Sequence, residues 1–256
     1  YTFANDELKL TLTFMTAALP EDIDILSRPV TYLTWEAESA DGKPHRVEIY
    51  FDASSELTVN VPQQQVTYAG EIAGDLHVVR MGSVDQPILA KRGDDLRIDW
   101  GYLYVAAPKQ VGMPTVAPRG VLSASFVNSG VEAELDYWVS VGAGDSLVGA
   151  VRLDLGQVGA APVSRWLMVA YDDLYSIQYM KKNLRPYWRR NGWEAADLLK
   201  ASAQDYEPLR KRCEQFDAEL MRDATIAGGE NYARICALAY RQCFAAGKFA
   251  ADANGQ

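Results

Sequence analysis

The sequence predicts an antiparallel β-sandwich of about ten or more strands over residues 1–170, followed by helices over 171–256. Three observations carry this. Short runs of alternating apolar and polar residues recur through the first two thirds, turn-forming residues separate them, and the apolar period lengthens from two to about 3.6 after Tyr171. No helical pattern lies between the runs, which argues against a parallel α/β sheet, whose strands need helical crossovers.

Alternation marks strands at 8–15, 31–37, 46–51, 66–68, 76–81, 96–105, 121–126, 132–141, 147–153 and 164–170. Asp41-Gly42, Arg92-Gly93-Asp94-Asp95, Asn128-Ser129-Gly130 and Gly142-Ala143-Gly144-Asp145 supply turns between them. Helical periodicity covers 193–206 and 207–224, with Leu198, Leu199, Leu209, Phe216 and Leu220 on apolar faces. Pro208 is expected to open the second of these helices at its first turn, because a proline inside a helix costs about 3 kcal/mol. Gly228-Gly229 ends that run, and 230–251 reads as a further helix. Ala233, Ala237, Ala239, Ala245, Ala246 and Ala250 place small residues on more than one of its sides, the pattern of a helix hemmed in by others. These residues supply too few partners, so the chain is expected to be a piece of a longer protein, with the rest of its helical domain downstream.

The formal charge is 25 − 34 = −9, without the basic face that phosphate binding needs, so nucleic acid is not an expected partner. The imbalance is local: residues 1–171 hold 12 basic and 22 acidic side chains, and 172–256 hold 13 and 12. No run of about 18 apolar residues predicts a membrane span. Cys213, Cys236 and Cys243 lie in helical patterns without metal-ligand spacing and read as small buried core residues. His45 and His77 both fall among the strands without companions for a catalytic triad or a two-histidine metal site, and Gly142-Ala143-Gly144 precedes no helix, so it is no dinucleotide motif. Neither a metal nor a cofactor is expected.

Chemistry concentrates in 171–191. Asp172-Asp173 lies where strands give way to helices, and the pair suits two roles: capping the first turn of a helix, or a general base or ammonium-binding carboxylate facing a pocket. Tyr175 and Tyr179 follow at helical spacing with Gln178 beside them. Arg185, pushed toward an extended conformation by Pro186, joins Asn183, Trp188 and Arg189 either in a small-molecule pocket or in a basic surface loop with its aromatics packed down. Glu230 suits both a helix-dipole partner and a pocket acid, and Asn254 lies in a helix-ending loop of the kind that frames a pocket.

Tyr171-Asp-Asp-Leu-Tyr-Ser-Ile-Gln-Tyr179, Asn183-Leu-Arg-Pro-Tyr-Trp-Arg-Arg-Asn191, Cys213-Glu-Gln-Phe-Asp217, Ala237-Leu-Ala-Tyr-Arg-Gln242 and Ala251-Asp-Ala-Asn-Gly255 resemble the glutaminase A family of fungi and Bacteroidetes. Leu10-Thr-Leu-Thr-Phe-Met15 and Leu26-Ser-Arg-Pro-Val-Thr-Tyr-Leu-Thr-Trp35 resemble the same family's β-rich region, so the likeness covers essentially the whole chain. It implies a β-sandwich leading into an (α/α) toroid, an exported enzyme, and hydrolysis of L-glutamine to glutamate and ammonia. The residue roles above rest on their own chemistry. With no nucleophile–histidine pair in the sequence, direct attack by water activated by Asp172 or Asp173 is the expected mechanism. Two other readings stand beside it: a carbohydrate-active enzyme whose aromatics stack on sugar, and a non-catalytic binding module.

Overall fold

The computed structural model describes residues 1–94, 96–128, 139–144, 147–245 and 247–252. They form two compact units, one of Tyr1–Phe14 with Val30–Leu174 and one of Met15–Pro29 with Tyr175–Gln256.

The first unit is a sandwich of antiparallel sheets. Its strands are β1 (Thr2–Ala4), β2 (Leu8–Met15), β3 (Val30–Ser39), β4 (His45–Ser54), β5 (Gln65–Ala73), β6 (Leu76–Ser83), β7 (Tyr102–Pro108), β8 (Thr115–Ala117), β9 (Val139–Ala143), β10 (Val148–Val158) and β11 (Val163–Asp172). Eight of them make a sheet in the order β1-β2-β3-β11-β7-β6-β5-β9, and β4-β10-β8 make the second. β3 and β4 belong to different sheets, so Asp41-Gly42 carries the chain across the sandwich, with Gly42 at φ 77. The inward positions of both sheets meet in one core of Trp35, Tyr68, Met81, Val105, Leu153 and Leu167, all buried. Because inward and outward residues alternate, Leu167, Val169 and Tyr171 face this core while Met168, Ala170 and Asp172 point the other way. The period of two along β11 therefore fixes which way Asp172 leaves the sheet.

Two sequence expectations change here. Residues 121–126 form no strand but part of α2 (Arg119–Val127). Leu122 and Phe126 are four apart; on a helix they reach Val148 and Ala150, and the ring of Tyr50, respectively. A run of only six residues satisfies both periods, and burial of the i, i+4 pair decides. Residues 96–100 are loop, and β7 starts at Tyr102 after Gly101, whose φ of 84 is closed to other residues without strain. Of the run expected at 132–141, residues 132–138 lie outside the described residues.

The second unit holds α1 (Ile23–Leu26), β12 (Ile177–Tyr179), β13 (Lys182–Pro186), a 3₁₀ turn at Tyr187–Arg189, α3 (Ala195–Ala245) and β14 (Ala250–Ala251). The strands order as β12-β13-β14. β12 and β13 form a hairpin over residues expected to begin a helix; its two-residue loop, Met180-Lys181, has φ 45 and 66, as a type I′ turn requires. Pro208 lies inside α3 rather than opening a helix. Its missing N–H costs one backbone bond, and the buried neighbours Tyr206 and Leu209, with the Arg28–Asp205 ion pair at 2.7 Å, anchor the turn around it. The helical conformation of α3 breaks at Gly229 (φ 81, ψ 176), and the two limbs fold back antiparallel, with Phe216 packed on Tyr240 at 5.4 Å. The segment Met15–Pro29 is tied to the same unit by Asp24–Arg190, by Asp22–Arg212 at 2.9 Å, and by the Tyr240 hydroxyl donating to the Ala18 carbonyl at 2.6 Å. Cys213 and Cys236 are half-buried and Cys243 is exposed, so the three are not all core residues. Among the described residues, no helix is long and apolar enough to cross a membrane.

Candidate active site

In the first unit the chemistry gathers at the end of β11. Asp172 is the last residue of that strand, opposite Tyr102 of β7, and Asp173 follows; both are buried. No helix starts here, so neither caps one. Instead Asp172 Oδ1 accepts the Leu174 amide at 3.0 Å, closing a tight turn in which Leu174 takes φ 56. One strand position back, Tyr171 donates its hydroxyl to the Trp100 carbonyl at 2.7 Å. Burial raises the Tyr171 phenol well above its ordinary range, and the negative charges of Asp173, Asp99 and Asp172 raise it further. Three carboxylates therefore act on one phenol, which stays protonated as a neutral donor.

Asp99 is the member sequence reasoning missed. It is buried, and its Oδ2 accepts from Lys91 Nζ at 2.5 Å and Gln64 Nε2 at 3.2 Å. Expecting a strand at 96–105 made Asp99 an ordinary alternating polar residue; the adjacent Gly101 was the signal that the strand could not run through. Gly101 backs the acidic turn directly. A Cβ there would overlap the Asp172 carbonyl oxygen and stand 2.9 Å from Asp173 Cα. The Gln86 carboxamide holds Gly101 in place, accepting its amide at 2.7 Å and donating to its carbonyl at 3.1 Å.

The second unit holds the remaining predicted residues in separate groups. Gln178 donates to Asn183 at 3.0 Å across the β12–β13 hairpin, and both are exposed. Tyr175 is half-buried just before it. Arg185, Trp188 and Arg189 come together on β13 and the 3₁₀ turn. Arg189 is buried, stacks on Trp188 at 4.6 Å and pairs with Glu194 at 2.5 Å, while Arg185 approaches the same carboxylate at 3.6 Å. Among the described residues, Arg185 Nε and the Trp188 indole nitrogen are buried donors with no hydrogen-bond partner. Glu194, not singled out from sequence, gathers both guanidinium groups. It also stands at the start of α3: its carbonyl accepts the Leu198 amide at 3.1 Å, and its own amide donates to the Asp197 carboxylate at 3.2 Å, one half of the capping arrangement that the E-x-x-D spacing allows. Glu230 is exposed just past the Gly229 break, and Asn254 lies outside the described residues.

Fold and site together define a β-sandwich module with a buried acidic strand end, continued by a unit containing a helical hairpin. A family model described as a domain of unknown function, DUF5127, matches residues 1–223, and the chain belongs to that family. It is 24% identical over 253 residues to Glutaminase A of Aspergillus oryzae (strain ATCC 42149 / RIB 40), a match taking in 94% of this chain and 36% of that protein. The chain thus spans about a third of the length of the curated relative it matches. A solved structure of a putative kojibiose phosphorylase from human microbiome aligns with 80% of this chain and 22% of its own, at 10% identity and a TM-score of 0.33, too slight a likeness to carry an argument.

Proposed function

We propose that the chain is part of a glutaminase-like amidohydrolase that releases ammonia from L-glutamine by water attack on the side-chain amide. The observation that carries this is the likeness to Glutaminase A along 94% of the chain. Asp172 or Asp173 acts as the general base, taking a proton from water as its oxygen adds to the carboxamide carbon. The tetrahedral adduct then collapses, the C–N bond breaks, and the proton held by the acid leaves with ammonia. An N–H or guanidinium donor is required at the developing oxyanion.

Within the second unit, Glu194 pairs with Arg189 at 2.5 Å and approaches Arg185 at 3.6 Å, and its exposed side chain leaves the two guanidinium groups open to competition from a free carboxylate. The (α/α) toroid, completed by chain beyond these residues, and export from the cytoplasm belong to the same proposal. The test is a substrate panel on the longer protein: L-glutamine, L-asparagine and aryl glycosides, with ammonia and aryl alcohol as readouts. Ammonia from glutamine alone supports amide hydrolysis; aryl alcohol release without ammonia transfers the site to carbohydrate chemistry.

A further inference from the structure

The outward face of the eight-stranded sheet carries a second polar group, and it lies wholly within the first unit. Residues paired across antiparallel strands share a face. Asp172 of β11 pairs with Tyr102 of β7, and two positions along β7, Tyr104 pairs with Arg80 of β6. All four stand outside the core between the sheets. The bare backbone of Gly82 makes room for the group. A Cβ there would overlap Cδ1 and Cε1 of Tyr102, so the phenol ring lies directly over this glycine. Arg80 stacks on the same ring, with its guanidinium carbon 4.5 Å from the centroid. Glu71 holds the guanidinium by one edge, accepting from Nε at 2.6 Å. Among the described residues, no protein acceptor takes the two Nη groups, and the Arg80 side chain is 27% exposed.

We propose that Arg80 and Tyr102 form a carboxylate-binding site: the two Nη groups of Arg80 take the carboxylate of a small acyclic ligand, and the Tyr102 ring is the floor along which its chain runs toward Asp172. An Nη pair matches a carboxylate with two parallel hydrogen bonds. The ring beneath and Glu71 at the edge fix the plane of that fork in advance, so little side-chain freedom is lost on binding. The sheet sets the length of the ligand. From β11, which bears Asp172, across β7 to β6 is two inter-strand spacings, about 10 Å. A five-carbon chain measures about 5 Å between its end carbons, and a hydrogen bond of about 3 Å at each end extends the reach to ~11 Å. Charge sets the far end. Asp172 and Asp173 are buried, and a second carboxylate beside them would meet like charge, whereas a neutral carboxamide brings N–H donors. The ligand class is a monocarboxylate with an amide at the other end of a five-carbon chain. Naming that carboxylate as the α-carboxylate of glutamine rests on the reading above; the site itself does not.

The test is a titration of the chain, followed by calorimetry, with glutarate monoamide and with glutaramide, which has the same length and no carboxylate. Wild type is expected to bind the monoamide at least ~10-fold more tightly than the diamide. Arg80→Met should weaken the monoamide at least ~10-fold and leave the diamide unchanged, Tyr102→Leu should weaken both, and Glu71→Gln should keep the preference for the monoamide. Circular dichroism checks the fold of each variant, and if Arg80→Met does not fold, the comparison of the two ligands on wild type decides alone. Equal affinity for the two ligands would overturn the inference, as would no saturable binding of the monoamide up to ~10 mM or full affinity in a folded Arg80→Met. Failure here and failure of the amidase reading are distinguishable. Monoamide binding that needs Arg80, without ammonia release by the longer protein, upholds the site and removes the amidase; ammonia release with kcat/KM unchanged by Arg80→Met does the reverse.

Discussion

Replacing Gly101 with alanine probes how the acidic turn is held. Gly101 sits at φ 84, a left-handed conformation that costs an L-residue about 1–2 kcal/mol. Its new methyl would overlap the Asp172 carbonyl oxygen and press on Asp173 Cα at 2.9 Å. Those neighbours are backbone and cannot rotate away. Gln86 resists a shift of Gly101 in the other direction through its bonds at 2.7 and 3.1 Å. Overpacking of this kind adds about 1–3 kcal/mol, so the total loss is about 2–5 kcal/mol. For a chain of this size each kcal/mol lowers the melting temperature by about 2–4 °C. Thermal and urea melts of Gly101→Ala should show a transition lower by at least ~4 °C, and the longer protein should lose activity with it. A melting temperature within 1 °C of wild type would refute the close approach of Gly101 to the 172–173 backbone.

Three further outcomes are expected. Glu194→Gln removes the charge facing buried Arg189; because the Glu194 side chain is 64% exposed, water replaces part of the interaction and the loss is about 1 kcal/mol rather than the 3–5 of a fully buried pair. A double-mutant cycle with Arg189→Met measures the coupling, and a value below about 0.3 kcal/mol contradicts the pairing. His77 is held below its ordinary 6.5, first by burial and then by Lys109. The unfolded chain therefore binds that proton at higher pH than the folded one. Stability is unaffected by this site well above pH 6.5 and falls as the pH drops through 6.5 toward the folded value. His77→Gln should gain melting temperature relative to wild type at pH 5 compared with pH 8, and an equal difference at both pH values contradicts the assignment. Leu153→Ala, in the fully buried centre of the sandwich, should cost about 2–5 kcal/mol in a urea melt, and a loss under 1 kcal/mol would contradict the shared core.

The sandwich was legible because one face of each strand is buried, and burial writes a period of two into the sequence. β2 falls on 8–15 as expected, and β3, β6 and β11 differ by one or two residues at their ends. The misreadings share a physical source. Residues 121–126 fit two periods, and only the position of Tyr50 and Val148 selects the helix. The hairpin at 177–186 is turned by Met180 and Lys181 in a conformation that glycine or asparagine ordinarily marks, so its sequence carried no turn signal. Tyr175 and Tyr179 then mimicked helical spacing. Asp172, Asp173, Arg185, Trp188 and Arg189 were visible as a local concentration of polar and aromatic groups. Asp99 and Glu194 were not, because one reaches the acidic turn from 73 residues away and the other looked like an ordinary helix start.

The central claim is that a carboxylate of the Asp172–Asp173 turn activates water against an amide. Ammonia release from L-glutamine by the longer protein, measured for wild type, Asp172→Asn and Asp173→Asn, tests it most directly. At least one variant should lose about 100-fold or more in kcat with its KM little changed and its fold intact by circular dichroism. Wild-type turnover in both variants would contradict it.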